Sequence, residues 1–142
     1  MICAQCELVA GSRRARGFAP IVRGAFVVHP KLEASAVPGW WVIAPARHVE
    51  AFDALTPAEQ GALGAIVGEV SAALRASTPA AKIYVSIFAE ILPHLHVHVI
   101  ARPPDLDEAL RGPNVFLART AADAAEIAAV DARVAARLSR TA

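Results

Sequence analysis

Three of the five histidines in the chain lie within PHLHVHVIAR, which covers residues 93–102. His94, His96 and His98 alternate with branched aliphatic residues, a pattern typical of a β-strand with one polar and one apolar face. We therefore expect a strand over residues 94–101 in which the three imidazoles share one face, about 6.5–7 Å apart. The aliphatic residues between them would pack against the helices.

Two kinds of chemistry fit such a row of imidazoles. Two alternate histidines can bind one zinc ion, as in other β-sheet metal sites. A neutral imidazole, with an ordinary pKa of about 6.5, is also a competent nucleophile toward phosphorus. A neighbouring histidine could then fix its tautomer and protonate a leaving group. Because burying three unpartnered imidazoles is costly, we expect a chemical role for the cluster.

The two cysteines of the chain, Cys3 and Cys6, form the short motif CAQC near its start. In a reducing compartment a structural disulfide is not expected. The spacing fits half of a metal site, a redox pair or two thiols without a role, and the motif alone does not choose among them.

Alternating apolar segments predict the strands that must position these residues. They cover residues 25–29, 39–44, 82–90 and 94–101, and only three residues separate the last two, so we expect a hairpin. Strands followed by a helix, strands again and a second helix indicate an α+β fold, an antiparallel sheet of about five strands covered by helices.

Two helices are predicted from caps and apolar stripes. Thr56 as N-cap, Pro57 at the first position and Glu59 three residues after the cap form a capping box. A long helix should follow, and its three glycines would allow close packing on the sheet. A second helix is expected over about residues 120–139, since Ile127, Val130, Val134 and Leu138 form one stripe.

The overall composition excludes several classes of protein. The chain has 142 residues and a formal net charge of +1, which predicts one domain and no nucleic-acid-binding surface. The mean hydropathy is +0.44, but the longest weakly polar run, residues 34–46, is short and interrupted by prolines. We therefore expect a cytoplasmic protein with no membrane partner.

The segment HLHVHVI matches the signature of the histidine triad (HIT) superfamily of nucleotide hydrolases and transferases, in which three histidines alternate with apolar residues. PGWWVIAPARHVEAFDALTPAE (residues 38–59), FAEILPHLHVHVIARPPD (residues 88–105) and RGPNVF (residues 111–116) also resemble this family, in particular bacterial and diadenosine polyphosphate hydrolase-like members. The resemblance implies a single HIT-like domain over residues 1–142, with its core at about 3–116. It also implies a homodimer.

The resemblance implies roles for each triad histidine. His96, the middle residue, would attack the α-phosphate of a nucleotide and form a nucleotidyl-histidine that water hydrolyses. His98 would hydrogen-bond the leaving atom, and His94 would orient the group or serve elsewhere. Typical substrates join a nucleoside monophosphate to an amine, a second nucleotide or another phosphate.

The resemblance also implies one structural zinc ion per chain. Similar bacterial proteins often hold this ion with Cys-x-x-Cys, the His after a Pro-basic segment and the first triad His. The matching residues are Cys3, Cys6, His48 and His94. A Cys₂His₂ set fills all four positions of a tetrahedral site, as expected of a structural metal rather than a catalytic one.

The chain departs from the family pattern near the triad. Trp40 occupies a position where many members have a histidine, so a supporting hydrogen bond is expected to be missing. Glu90 lies where phosphate-binding polar residues are common and would repel a phosphate, while Arg102 is expected to supply cationic help.

These departures keep two alternatives open. The first is a nucleotide-binding protein with little turnover. The second is a metal-dependent hydrolase that uses all three histidines, although three residues on a straight strand do not easily converge on one ion.

Overall fold

The computed structural model of the protein describes residues 2–140. The elements in chain order are α1 (Ala4–Val9), β1 (Ile21–Arg23), β2 (Phe26–Pro30), β3 (Trp40–Pro45), α2 (Pro57–Ser77), β4 (Lys82–Ile87), β5 (Val97–Arg102) and α3 (Ala124–Arg140). Short 3₁₀ helices cover Phe52–Ala54, Glu108–Leu110 and Gly112–Leu117. No helix of this described part is long and apolar enough to cross a membrane.

The five strands form one antiparallel sheet in the order β1-β2-β3-β5-β4. Helices α2 and α3 cover one face, where Trp41, Ile43, Val97 and Val99 join the helix stripes in the main core. The α+β fold with about five antiparallel strands is therefore confirmed. The opposite face carries the alternate residues of the two central strands, among them His98.

The predicted hairpin of β4 and β5 is present, but β5 begins at Val97 rather than at residue 94. The ladder ends at Val97, which lies opposite Ile43 on one side and Ile87 on the other. Pro45, two residues after Ile43 in β3, has no N–H with which to continue the ladder. Two of the three triad histidines therefore lie just before the strand, in a segment whose Leu95 N–H donates to the carbonyl of Val49.

Helix α2 begins with the predicted capping box. The Glu59 N–H donates to the Thr56 hydroxyl, and the Thr56 N–H donates to the Glu59 carboxylate. The prediction for the three helix glycines is wrong, because they are exposed and no atom lies within 4 Å of an added Cβ. They are positions 61, 64 and 68.

Helix α3 buries the predicted stripe, and it also buries Asp131. The Asp131 carboxylate accepts from the Trp41 indole N–H at 2.9 Å and pairs with Arg16 at 2.7 Å. Arg16 in turn donates its Nε–H to the carbonyl of Lys31 at 2.9 Å. This network connects α3, the N-terminal segment and the end of β2.

Gly39 turns the chain into β3 with a φ of +88°, a conformation that favours glycine. An added Cβ would lie 3.2 Å from Ala101 Cβ and 3.2 Å from Thr78 Cγ2. The close approach and the positive φ together place Trp40 next to β5.

Candidate functional site

His96 and His98 line two adjoining cavities on the sheet face away from the helices. The larger cavity has a volume of about 390 Å³ and an apolar wall that includes Phe88 and Phe116. The smaller has a volume of about 170 Å³ and is lined on one side by Gln5. The site is thus bounded by α1, the β4–β5 loop and the 3₁₀ helix Gly112–Leu117.

The hydrogen-bond partners of His96 and His98 fix their tautomers. His96 Nδ1 lies 2.8 Å from the carbonyl oxygen of His94, which can only accept, so Nδ1 carries the proton and Nε2 has a free lone pair. His98 Nδ1 lies 2.9 Å from the Trp40 indole N–H, which can only donate, so the proton of His98 is on Nε2. The two rings are 4.8 Å apart between centroids, and the pair therefore offers one nucleophilic nitrogen and one N–H donor.

His98 is held in its neutral form. Burial lowers the pKa of His98 to about 4, and a proton added to neighbouring His96 would act in the same direction. Phe116 packs edge-on against both His98 and Trp40, with centroids 5.0 and 5.1 Å away. At neutral pH His98 is thus an N–H donor without a net charge.

The expectation that Trp40 would remove a supporting hydrogen bond is wrong. Its indole N–H donates to His98 Nδ1 at 2.9 Å, so this position does supply a hydrogen bond to the triad. Because an indole has no acceptor nitrogen, it permits only one tautomer of His98.

His94 is separated from the other two triad histidines by its environment. It is fully buried, and its Nδ1 lies 3.4 Å from Cys3 Sγ and 3.6 Å from Cys6 Sγ. His48 Nδ1 lies 3.5 Å from Cys6 Sγ, and all four ligand atoms lie within 4.8 Å of one another. Among residues 2–140, this is the set of His, Cys, Asp and Glu side chains close enough to share a metal ion.

The cluster fits a tetrahedral zinc ion. Zn–S bonds of about 2.3 Å and Zn–N bonds of about 2.0–2.1 Å place each sulfur about 3.5 Å from each nitrogen. The three sulfur–nitrogen distances given above agree with this value. The second nitrogen of each ring donates elsewhere, His94 Nε2 to the Pro45 carbonyl and His48 Nε2 to the Glu50 carboxylate, at 2.9 and 3.0 Å. Both Nδ1 lone pairs therefore face the thiols, as zinc ligation requires.

His29 is the fifth histidine and is fully buried. Its Nδ1 donates to the Pro30 carbonyl at 2.7 Å, and its Nε2 lies 3.0 Å from Gln5 Oε1. Because a neutral ring has a single N–H, the Gln5 amide must turn its NH₂ group toward Nε2 to complete this hydrogen bond. Burial lowers the pKa of His29 to about 4. These contacts tie α1 to β2 beneath the smaller cavity.

The charged residues near the triad differ from the sequence expectation. Glu90 lines the larger cavity, as its position next to the triad suggests. Arg102 lines neither cavity and donates to the Pro103 carbonyl, because four residues of extended strand place it about 13 Å from His98. Lys31 lines both cavities instead, so the prediction for Arg102 is wrong.

Sequence reasoning missed Lys31, Phe116 and Glu50. Glu50 could have been found, since a carboxylate two residues from a ligand histidine is a usual hydrogen-bond partner for it. Phe116 ends the segment RGPNVF, which resembles the family, but nothing in that segment shows that the ring packs on His98. Lys31 comes from a segment distant in sequence, and no local pattern marks it.

Residues 27–105, more than half of the chain, match the HIT domain family. No curated protein sequence matches the chain.

Solved structures with the same fold include several histidine triad proteins. A histidine triad (HIT) protein from Sinorhizobium meliloti 1021 is 26% identical with a TM-score of 0.66, over 82% of this chain and 85% of its own. A histidine triad protein from Marinobacter aquaeolei VT8 is 20% identical with a TM-score of 0.73, over 100% of both chains. A Zn-bound histidine triad family protein from Mycobacterium smegmatis is 19% identical with a TM-score of 0.69, over 97% of this chain and 96% of its own.

Proposed function

The chain belongs to the HIT domain family, and from this premise we propose that it is a hydrolase or nucleotidyl transferase acting on the α-phosphate of nucleoside monophosphate conjugates. The proposed substrate classes are phosphoramidates and dinucleoside polyphosphates. His96 is the proposed nucleophile and His98 the proposed hydrogen-bond donor to the leaving atom.

One observation carries this proposal: the opposite tautomers of two adjacent imidazoles beside a cavity. An in-line displacement at phosphorus needs an attacking lone pair and a donor for the departing atom. His96 Nε2 supplies the lone pair, and His98 Nε2–H supplies the donor.

In the first proposed step, His96 Nε2 forms a bond to the α-phosphorus while the bond to the leaving atom breaks. The electron pair of that bond stays with the leaving atom, which accepts a hydrogen bond from His98 and takes its proton from solvent. The nucleotidylated ring of His96 is cationic, and its Nδ1–H remains bonded to the carbonyl of His94. This contact stabilises the positive charge.

In the second proposed step, water attacks the same phosphorus and the P–N bond breaks. The electron pair returns to Nε2 of His96, and the proton of the water is released to solvent. Dividing one difficult displacement into two easier ones lowers the barrier.

The intact-protein mass after mixing with adenosine 5′-phosphoramidate tests this proposal. Wild type and His96→Ala are quenched under acid-free conditions, because phosphorus–nitrogen bonds are labile in acid. A nucleotidyl adduct on wild type alone is the expected result. Nucleotide binding without an adduct or turnover in wild type would favour the alternative of a binding protein.

We also propose that Cys3, Cys6, His48 and His94 hold one structural zinc ion. The zinc-like spacing of the four ligand atoms and the outward hydrogen bonds of both imidazoles support it. When bound, the ion would pin α1 to the loop before β5 and contribute folding free energy. His94 would then act on catalysis as a positioning residue, through its carbonyl bond to His96. Native mass spectrometry that finds no zinc would contradict this proposal.

We propose a homodimer that pairs the β4 edges of two copies. β4 lies at the end of the sheet, and Val85, Ile87 and the following Phe88 are exposed along it. An unpaired apolar edge of this kind is a usual site of association. The same native spectrum would show whether the chains form pairs. A single HIT-like domain over residues 1–142 and a cytoplasmic location complete the proposal.

A further inference from the structure

Lys31 lies where β2 ends and lines both cavities together with His96 and His98. Its Nζ is 5.5 Å from the centroid of the Trp40 ring, the same ring whose N–H orients His98. Its backbone is held as well, because Arg16 donates to the Lys31 carbonyl. The ammonium group therefore lies over the ring that orients His98, on a residue whose backbone is anchored and which shares both cavities with the catalytic pair.

The charges around the site make this position unusual. Of the described residues that line the two cavities, Lys31 is the only lysine or arginine. The acidic residues among them are Glu33 and Glu90. Arg16 is already engaged by the buried Asp131 carboxylate. An anionic substrate would thus meet two acidic side chains and a single ammonium group.

The β4–β5 loop offers an anion little help from its side chains. Residues 88–92 read FAEIL, so no hydroxyl, amide or cationic side chain is available there. A phosphate next to His96 needs a compensating charge in a partly desolvated site. A lysine meets that need as a point charge on a flexible stem.

We propose that Lys31 is a specificity-determining residue that binds the substrate phosphate beside His96. This inference rests on the proposed function, since it presupposes a nucleotide in these cavities. It assigns the role of phosphate cation to the end of β2 rather than to the end of β5.

The electrostatics of Lys31 agree with this assignment. Burial lowers the pKa of Lys31, Arg16 acts in the same direction, and Glu33 partly opposes them. An arriving phosphate would stabilise the charged form and offset part of the desolvation cost.

The chain contains only two lysines, Lys31 and Lys82, which provides a matched control. Lys82 is exposed at the start of β4 and lines neither cavity. Lys31→Met removes the charge at nearly constant length, Lys31→Arg keeps the charge, and Lys82→Met removes the other lysine charge.

Calorimetric titrations with adenosine 5′-monophosphate and with adenosine test the role of Lys31. For Lys31→Met we expect the affinity for the monophosphate to fall about 10- to 100-fold and the affinity for adenosine to remain unchanged. Lys31→Arg should retain most of the affinity, and Lys82→Met should match wild type. Equal losses for both ligands would indicate a structural role and overturn the inference.

An NMR experiment reports the contact without any mutation at the site. Reductive ¹³C-methylation labels the two lysines and the N-terminal amine, and Lys82→Arg assigns the signals. The monophosphate should raise the titration midpoint of the Lys31 signal, whereas adenosine should not. If wild type binds the monophosphate but the Lys31 signal does not respond, the role of Lys31 is overturned and the proposed function stands. If wild type neither binds the monophosphate nor forms an adduct, both the role of Lys31 and the proposed function are overturned.

Discussion

The first and the last two histidines of the triad are the same residue type only two positions apart, yet their surroundings differ in kind. His94 is fully buried and faces two thiols, whereas His96 and His98 line a cavity. The ladder ends at Val97, so His94 and His96 both lie outside the strand, and their different hydrogen-bond partners separate them.

The hydrogen-bond partner of one ring nitrogen decides whether the other nitrogen offers a lone pair or an N–H. A carbonyl on Nε2 turns the Nδ1 lone pair of His94 toward the cysteines. A carbonyl on Nδ1 leaves the Nε2 lone pair of His96 free, and an indole donor on Nδ1 makes Nε2 of His98 the donor. The sequence motif identifies the three histidines, and their hydrogen bonds determine which tautomer each one adopts.

Removing the proposed nucleophile should have the largest effect and should leave the Cys3–Cys6–His48–His94 cluster intact. For His96→Gly we expect turnover to fall by roughly 10⁴-fold or more, because no other lone pair is placed to attack phosphorus. Added imidazole should restore part of the activity by filling the cavity that the side chain leaves. Zinc content should match wild type, and a loss of less than tenfold in turnover would contradict the division of roles.

Disrupting the cluster of Cys3, Cys6, His48 and His94 should lower stability, and activity should fall only as a consequence. We expect Cys6→Ser, or removal of zinc by a chelator, to lower the free energy of unfolding by about 3–5 kcal/mol, measured by urea denaturation. Activity should decline with the folded fraction and return when zinc is restored to the chelated protein. Instant loss of activity in a protein that stays folded would favour a catalytic metal.

Acid should reveal the buried neutral imidazoles. His29 has a folded-state pKa of about 4, against about 6.5 for a free histidine, so the unfolded chain binds the proton first as the pH falls. The contribution of His29 to the free energy of unfolding is therefore fully present above about pH 6.5, and up to about 3 kcal/mol of it is lost as the pH falls to about 4. His29→Gln should flatten this part of the stability curve relative to wild type, and an unchanged slope would show that His29 does not titrate as described.

Trp40→Phe should have the smallest effect, and it tests the role of His98 separately from that of His96. The ring is kept while the N–H donor to His98 is lost, so His98 is no longer held as the Nε2–H tautomer. We expect kcat to fall about 3- to 10-fold with the affinity for nucleotide unchanged. A change confined to affinity would mean that Trp40 only shapes the cavity.

Periodic patterns predicted much of this fold. The capping box of α2, the stripe of α3 and the β4–β5 hairpin are all present, because each depends on residues close in sequence. The α1 helix and the β1 strand are six and three residues long, and segments this short carry too few periods to detect.

The site was predictable to the extent that the resemblance placed the ligands. The four proposed zinc ligands do converge, although they come from three distant segments. The alternating pattern predicted His94 on the face of a strand, which is wrong. The pattern could not show that the ladder with β3 ends before Pro45. Lys31 could not be found because its proximity to His98 depends on how β2 and β5 are placed on either side of β3.

Long-range ¹H–¹⁵N NMR on the zinc-loaded protein tests the assigned roles of the triad histidines, since it reports the tautomer of all five histidines. We expect the proton on Nε2 for His48, His94 and His98, and on Nδ1 for His29 and His96. A proton on Nε2 of His96, or on Nδ1 of His98, would contradict the assigned roles, because the pair would then lack its lone pair or its donor.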